Sequence, residues 1–295
     1  MEDPIIKVSI HMITYNHEKY IRQAIDGVLM QKANFPIELI ISDDCSTDGT
    51  RTIINQYAMK YSEVIKPIYR TKNIGPTANF VDTLYHCTGK YIAICEGDDY
   101  WIDKFKLQKQ VDFMDKNFKF SLCFHNALIK HEGISGKDSL FCEERIKEIS
   151  EIEDVIEKWY IPSASMLLRN ESISLLPKWI NDIYNCDYAL HLLLALNGKI
   201  KFINEVMAVY RKNSGALSGG IGKNHLYVNY QIIKLLKYFN EFTTYIYFDK
   251  INQRIVNIEK ENKYLIIRMK YPIYKYLHKK IWISKIKSIY SKILL

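Results

Sequence analysis

The chain has 295 residues, 48% hydrophobic and 25% charged, with a formal net charge of +8. That profile excludes a disordered or collagen-like chain, and no run of about eighteen apolar residues is present to span a bilayer. The start "MEDPIIKVSI" has no basic region followed by a long apolar stretch and a small-residue cleavage site, so neither secretion nor membrane insertion is expected and a cytoplasmic protein is.

In chain order, "KVSIHMITYN" (7–16) is rich in β-branched residues and reads as a buried strand running into a loop. Tyr20, Ile21, Ala24, Ile25, Val28 and Leu29 then recur at helical spacing. "IELIISDDCSTDGT" repeats the unit, with a strand at 38–42, a turn rich in Asp and Ser, and a helix from about Thr50 to Tyr61. "VIKPIYR" is a third strand, "PTANFVDTLYHCTG" a third helix expected to close on Gly89, and "KYIAICE" a fourth strand. Strands alternating with helices at this spacing imply parallel pairing in an open α/β sheet.

In such sheets ligands bind beyond the carboxyl ends of the strands. That rule collects Tyr15 and Asn16 after the first strand, Asp43 and Asp44 after the second, and Glu96, Asp98 and Asp99 in "ICEGDDYW" after the fourth. Each cluster alone is compatible with turn chemistry or helix capping. Three of them at one sheet edge point to a ligand, and three carboxylates within four positions call for water or a cation.

Further on, "EISEIEDVIEKWYIPSASMLLRN" reads as an acidic helix and a short strand, and Asp187 in "NCDYAL" opens a helix carrying Leu190, Leu193, Leu194 and Leu196. "KIKFINEVMAV" is strand-like and leads into "VYRKNSGALS" (209–218), where Arg211 and Lys212 are cations in a Gly/Ser-rich loop suited to a diphosphate. The six cysteines show no CxxC or zinc spacing and read as reduced, mostly buried thiols.

Together, "VSIHMITYN", "IISDDCSTDGT", "NIGPTANF", "GKYIAICEGDDYW" and "CDYALHLLLALNGKIKFINEVMAVYRKNSG" resemble the family 2 glycosyltransferases, over roughly Lys7 to Ser218. The resemblance implies a GT-A fold, a Rossmann-like, mainly parallel open sheet flanked by helices. It also implies inverting transfer of a sugar from a UDP-sugar to a hydroxyl of a glycan or lipid-linked glycan, in bacterial surface polysaccharide synthesis. By resemblance, Tyr15 packs on the base, Asp44 reads the uracil ring, and Asp98 holds the ribose. Asp99 ligates a Mg²⁺ or Mn²⁺ ion bridging the phosphates, as hard oxygen ligands suit both ions. Asp187 matches the catalytic carboxylate that takes the acceptor proton, in a helix-capping position compatible with that role. Arg211 is a candidate diphosphate contact and Asn79 a candidate donor-site residue. This chain departs from the pattern at Glu96, Cys186 and Asn213, where the family more often has Asp, an acid and His, and at "TANF", which lacks the family's arginine.

The domain expectation is a GT-A domain over 1–225 and a helical, basic extension over 226–295. No acidic residue follows Glu261, whereas nine cations do, from Lys263 to Lys292. Without them the body is close to neutral, which gives nucleic-acid binding little support. Lysines mixed with Tyr274, Tyr276, Trp282 and Tyr290 suit an anionic membrane surface, and equally a tail packed on the body or on a partner. Two rival readings are a sugar-phosphate nucleotidyltransferase, whose glycine-rich loop is absent from "HMITYNHEKY", and a non-catalytic scaffold at the membrane.

Overall fold

A computed structural model describes residues 5–133, 135–143, 146–213 and 225–270. The loop beyond Asn213, including Ser218, and the basic stretch beyond Lys270 lie outside the described residues, so the expectations for both rest on sequence alone.

Ten strands form one sheet, in the order β3-β2-β1-β4-β9-β6-β10-β5 with β7 and β8 at its margins. β1 (Val8–Thr14), β2 (Ile37–Asp43), β3 (Ile65–Tyr69) and β4 (Tyr91–Ile94) pair in parallel. β9 (Leu167–Arg169) runs antiparallel between β4 and β6 (Phe120–His131), and β10 (Lys199–Lys212) returns parallel to β6. β5 (Tyr100–Trp101) is an antiparallel partner of β10 at the edge, as β7 (Ser139–Leu140) is of β6 and β8 (Ile149–Ser150) of β10. The mainly parallel α/β sheet expected from the sequence is present, and so is the short strand expected before Asn170, as β9; its antiparallel placement and the edge strand β5 are additions the sequence pattern did not reveal.

Side chains alternate across a strand, so each strand feeds two cores. Val8, Ile10 and Met12 of β1, with Leu39 and Ile41 of β2, pack against Ile21, Ala24, Ile25 and Val28 of α1 (Ile21–Leu29), Ile54 of α2 (Thr50–Lys60) and Leu107, Val111 and Met114 of α4 (Lys106–Lys116). Ile40, Ile92, Ile94, Leu122 and Phe124 face the other way, onto α3 (Pro76–Tyr85), α5 (Ile152–Glu157) and α6 (Cys186–Asn197). Ile232, Leu235, Leu236 and Phe239 of α7 (His225–Phe242), and Ile251 and Ile258 of α8 (Phe248–Lys270), join this second core. Among the described residues no helix is long and apolar enough to cross a membrane.

Gly89 does not close α3, which ends at Tyr85 with His86 as its cap. It is glycine because the chain entering β4 passes against β1: a Cβ there would lie 2.6 Å from the Ser9 nitrogen and 2.9 Å from the Val8 carbonyl carbon. Neither backbone atom can retreat without breaking the β1–β2 ladder. Gly89→Ala is therefore expected to cost about 1–3 kcal/mol by overpacking, at roughly 2–4 °C of Tm per kcal/mol. Thermal unfolding measures this, and an unchanged Tm would mean that the contact yields freely.

Candidate active site

The parallel register brings the strand ends level: Thr14 of β1 stands beside Asp43 of β2, and Asp43 beside Tyr69 of β3. The loops after β1, β2, β4 and β10 therefore open at one sheet edge. The first two are tied to each other. Asp44 donates its N–H to the Thr14 carbonyl, the Asn16 side-chain oxygen accepts from the Thr47 N–H at 2.8 Å, and Ser46 Oγ accepts from the Asn16 N–H. Asn16 (φ +55°) and Cys45 (φ +62°) both hold left-handed backbone, which costs energy in non-glycine residues and concentrates where function imposes a loop shape.

Tyr15 is 44% exposed beside these loops, free to meet a ligand from outside. Asp44 is only 3% exposed, and its two carboxylate oxygens accept the Ile74 and Gly75 N–H groups at 2.8 and 2.9 Å. It shapes the loop before α3 as well as the edge of the crevice. Its neighbour Asp43 is wholly internal, paired with Arg51 at 2.8 Å.

Asn79, expected to touch the donor, is engaged inside the fold. The side chain is 1% exposed; its oxygen accepts from Ser42 Oγ (2.6 Å) and Arg70 Nε (3.2 Å), and its amide donates to the Ser42 carbonyl. With these polar groups engaged, Asn79 is a strut between α3 and β2. Arg70, which also pairs with Asp82, brings to this helix the guanidinium that "TANF" lacks.

The acidic loop separates its carboxylates. Gly97 lets it pass over β1, where a Cβ would lie 2.8 Å from Thr14 and 3.0 Å from the His17 ring. Asp99 is 1% exposed and points inward, with Oδ1 accepting the Arg211 backbone N–H at 2.8 Å. Its Oδ2 is buried without a partner among the described residues, and burial, then Asp98 and Glu96, hold its carboxyl well above the usual carboxylate range. Asp98 keeps some exposure, its side chain 13% accessible, with His17 Nε2 at 3.9 Å and the Asn213 amide donating at 3.5 Å. The expected arrangement, Asp98 on the ribose and Asp99 on the metal, thus meets a loop in which only Asp98 of the two reaches the open side.

Arg211 likewise departs from expectation. Its guanidinium is buried, donating from Nη1 to the Asp98 carbonyl at 2.7 Å and from Nη2 to the Gln23 side-chain oxygen, with Nε 3.2 Å from Glu132. It sits against the Tyr100 ring at 4.3 Å and the Tyr20 ring at 5.1 Å. It holds the acidic loop from behind and turns no charge to the crevice.

Asp187 stands in the first turn of α6, where the helix dipole favours a negative charge. Burial outweighs that help and pushes its carboxyl up to about 6. It shares a crevice of about 290 Å³ with Glu96, Thr77, Trp159, Tyr184, Asn185, Tyr210 and His225. Burial, then Asp98 and Asp187, push Glu96 up to about 8. Glu96, where the family more often has Asp, is thus part of the crevice wall, and Trp159, marked by no motif, is another. A larger hollow of about 440 Å³, lined by Tyr85, Lys90, Arg169 and Asn170, lies at the amino ends of the strands, away from all of these groups. His125 and Asn126 are internal too: Asn126 is bonded to Cys142 and the His125 ring to the Asn126 carbonyl.

Among the described residues no three Asp, Glu, His or Cys side chains stand together as a ready-made metal site. What is present is an excess of carboxylates over facing cations, an arrangement suited to an ion that brings further oxygen ligands with it.

Residues 9–170 match the family described as Glycosyl transferase family 2. An uncharacterized protein of Mycobacterium tuberculosis is 40% identical over 208 residues, 70% of this chain and 59% of the relative, so the chain spans about three fifths of that protein's length. A Bacillus subtilis protein named as the teichuronic acid biosynthesis glycosyltransferase TuaG is 30% identical over 213 residues, 72% of this chain and 81% of the relative. Among solved structures, the Staphylococcus aureus TarS fragment 1–349 with UDP-GlcNAc superposes with a TM-score of 0.59 at 22% identity, covering 78% of this chain and 66% of that one. A Pyrobaculum calidifontis mannosyltransferase with GDP-Man and Mn²⁺ gives 0.56 at 14%, covering 79% and 64%. At these identities the structural likeness establishes the GT-A fold.

Proposed function

The chain belongs to glycosyl transferase family 2, and from that premise we propose that it transfers a sugar, with inversion, from a UDP-sugar to a hydroxyl of a cell-surface glycan or lipid-linked glycan. The observation that carries the reading is the shared crevice of Glu96 and Asp187, which sets a carboxylate of raised pKa opposite the acidic loop. The uridine donor is supported by the TarS fragment solved with UDP and with UDP-GlcNAc, and the acceptor class by the names of TuaG and TarS.

In this reading Tyr15 stacks on the base above the loop that Asp44 shapes, and Asp98 faces the diphosphate. A Mg²⁺ or Mn²⁺ ion held by Asp98 and the phosphates would offset the charge developing on the leaving diphosphate. Asp187 accepts the proton of the acceptor hydroxyl as its oxygen forms the bond to the anomeric carbon. The bond from that carbon to the phosphate oxygen breaks on the opposite face, so the configuration inverts and UDP leaves. Arg211 and Asp99 keep the acidic loop in place. The basic tail, most of it beyond the described residues, is the segment that would meet an anionic membrane surface.

A thermal-shift panel of UDP-glucose, UDP-galactose, UDP-N-acetylglucosamine, UDP-glucuronate and GDP-mannose, with Mg²⁺ and with Mn²⁺, tests the donor class. At about one hundred times Kd a ligand adds roughly 2.7 kcal/mol of stability. A rise in Tm with one or more UDP-sugars and none with GDP-mannose is expected. Protection by GDP-mannose alone would overturn the uridine assignment.

A further inference from the structure

His17 stands in the loop after β1, and its backbone is pinned on both sides. The Asn16 side chain is tied to Thr47, the Glu18 N–H donates to Asp48 Oδ2 at 3.1 Å, and the His17 carbonyl accepts the Tyr20 and Ile21 N–H groups, both at 2.8 Å, where α1 begins. The ring is equally constrained. It meets the Tyr20 ring edge-on with centroids 6.4 Å apart, and Tyr20 in turn lies 5.1 Å from the Arg211 guanidinium. Nδ1 is buried against Gly97: a Cβ on that glycine would fall 3.0 Å from it, so a side chain there would push the imidazole aside. Nε2 is the ring nitrogen left for a ligand. It stands 3.9 Å from Asp98 Oδ2, too far for a hydrogen bond, and the two side chains are 19% and 13% exposed. Donors each about 2.1 Å from a common ion stand roughly 3.0 Å apart at right angles and about 4.2 Å apart when opposite. The observed gap falls between these limits.

We propose that His17 is a ligand, through Nε2, to the divalent cation of the donor site, and that it tilts the site towards Mn²⁺ over Mg²⁺. The inference rests on the reading of Asp98 as the residue that holds the ion. Asp99 is drawn inward by the Arg211 N–H, so without His17 the ion would have Asp98 as its one ligand from the acidic loop's aspartates. With it, the ion joins the loop after β1 to the loop after β4. Two protein ligands are fewer than a resident metal site uses, in keeping with the lack of a three-residue cluster among the described residues and with an ion that arrives on the diphosphate. An imidazole nitrogen suits first-row transition ions, whereas Mg²⁺ holds to oxygen and gives up its waters reluctantly.

The test is pulsed electron paramagnetic resonance of Mn²⁺ on the full chain with UDP, in which a nitrogen bound to the metal modulates the echo; ¹⁵N-labelled histidine identifies the nitrogen. The modulation is expected in the wild type and lost in His17→Phe, which keeps a flat ring against Tyr20 and removes the nitrogens. It should persist in His225→Phe, which alters the wall of the Asp187 crevice instead. In calorimetry with Mn²⁺, His17→Phe should raise the Kd for UDP by about tenfold or more, the least that loss of an outer partner of a metal ligand costs. With Mg²⁺ the rise should be smaller. Modulation absent from the wild type, or persisting in His17→Phe, would overturn the role of His17 and leave the 3.9 Å gap to water. UDP bound equally well in excess chelator would overturn the ion and His17 with it, and leave the donor-site reading standing. Mn²⁺ bound by a wild-type protein with no affinity for UDP would instead overturn the donor-site reading, while the modulation with Mn²⁺ alone would still judge His17.

Discussion

Asp187→Asn is expected to lower the rate of sugar transfer by a factor of about 10²–10⁴, the contribution of a positioned general base, while leaving the affinity for UDP within about twofold. The split follows from where the residue stands. Asp187 opens α6 on the crevice shared with Glu96 and Trp159, whereas Tyr15, Asp44 and Asp98 belong to the loops after β1, β2 and β4. The amide is nearly the same size as the carboxylate but cannot take a proton. The pH dependence gives a second check. Burial raises the Asp187 carboxyl to about 6, and the base works only when ionised, so kcat/KM should climb with pH below about 6 and level off above it. In Asp187→Asn that limb should vanish with the activity. Turnover by the variant comparable to wild type, measured as UDP release with an acceptor, would leave Asp187 an acid of the first helical turn and no more.

Donor binding is expected to fail without a divalent cation: calorimetric titration with UDP in excess chelator should give no heat, and added Mg²⁺ or Mn²⁺ should restore it. Glu96, Asp98 and Asp99 fall within four positions, and a diphosphate adds further negative charge at the same edge. The nearest guanidinium, that of Arg211, is already committed to the Asp98 carbonyl, Gln23 and Glu132. Like charges in a partly buried site repel strongly unless an ion lies between them. The two aspartates should then differ. Asp98→Asn removes the more exposed of the two carboxylates and should weaken UDP binding strongly, since a hard cation held by few ionised oxygens loses one of them. Asp99→Asn keeps an oxygen to accept the Arg211 N–H and should weaken it far less. Equal losses in the two variants, or undiminished binding in chelator, would sink this arrangement.

Much of the nucleotide half of the fold was legible in the sequence, because it is built from local periodicities. Alternating apolar residues with Asp- and Asn-rich turns mark β1, β2 and β4, and helical spacing marks α1 and α2. Parallel pairing then forces the strand ends onto one edge, so the association of Tyr15, Asp44 and Asp98 follows from the order of the elements. The start of α6 was equally readable, since an acid before a run of leucines is a local signal, although the cap itself is Asn185 and Asp187 stands in the first turn.

The direction of each side chain was not readable, because the groups that decide it come from far along the chain. Asp98 and Asp99 are adjacent and chemically identical, and the Arg211 N–H, 112 residues away, draws one inward and leaves the other partly exposed. Asn79 looks like a donor-site amide until Ser42 and Arg70 occupy its polar atoms. Gly89 has the local look of a helix stop, but the passage of β1 beside it is what forbids a side chain. Trp159 carries no motif at all, because its position depends on Tyr188 and the end of α5, which only packing brings together. Periodicity and turn chemistry are properties of neighbours in sequence, so the sequence alone determined the fold class and the edge at which the site opens. Tertiary contacts decided which carboxylates face the ligand, because burial and hydrogen bonding to distant backbone determine where a short polar side chain can point.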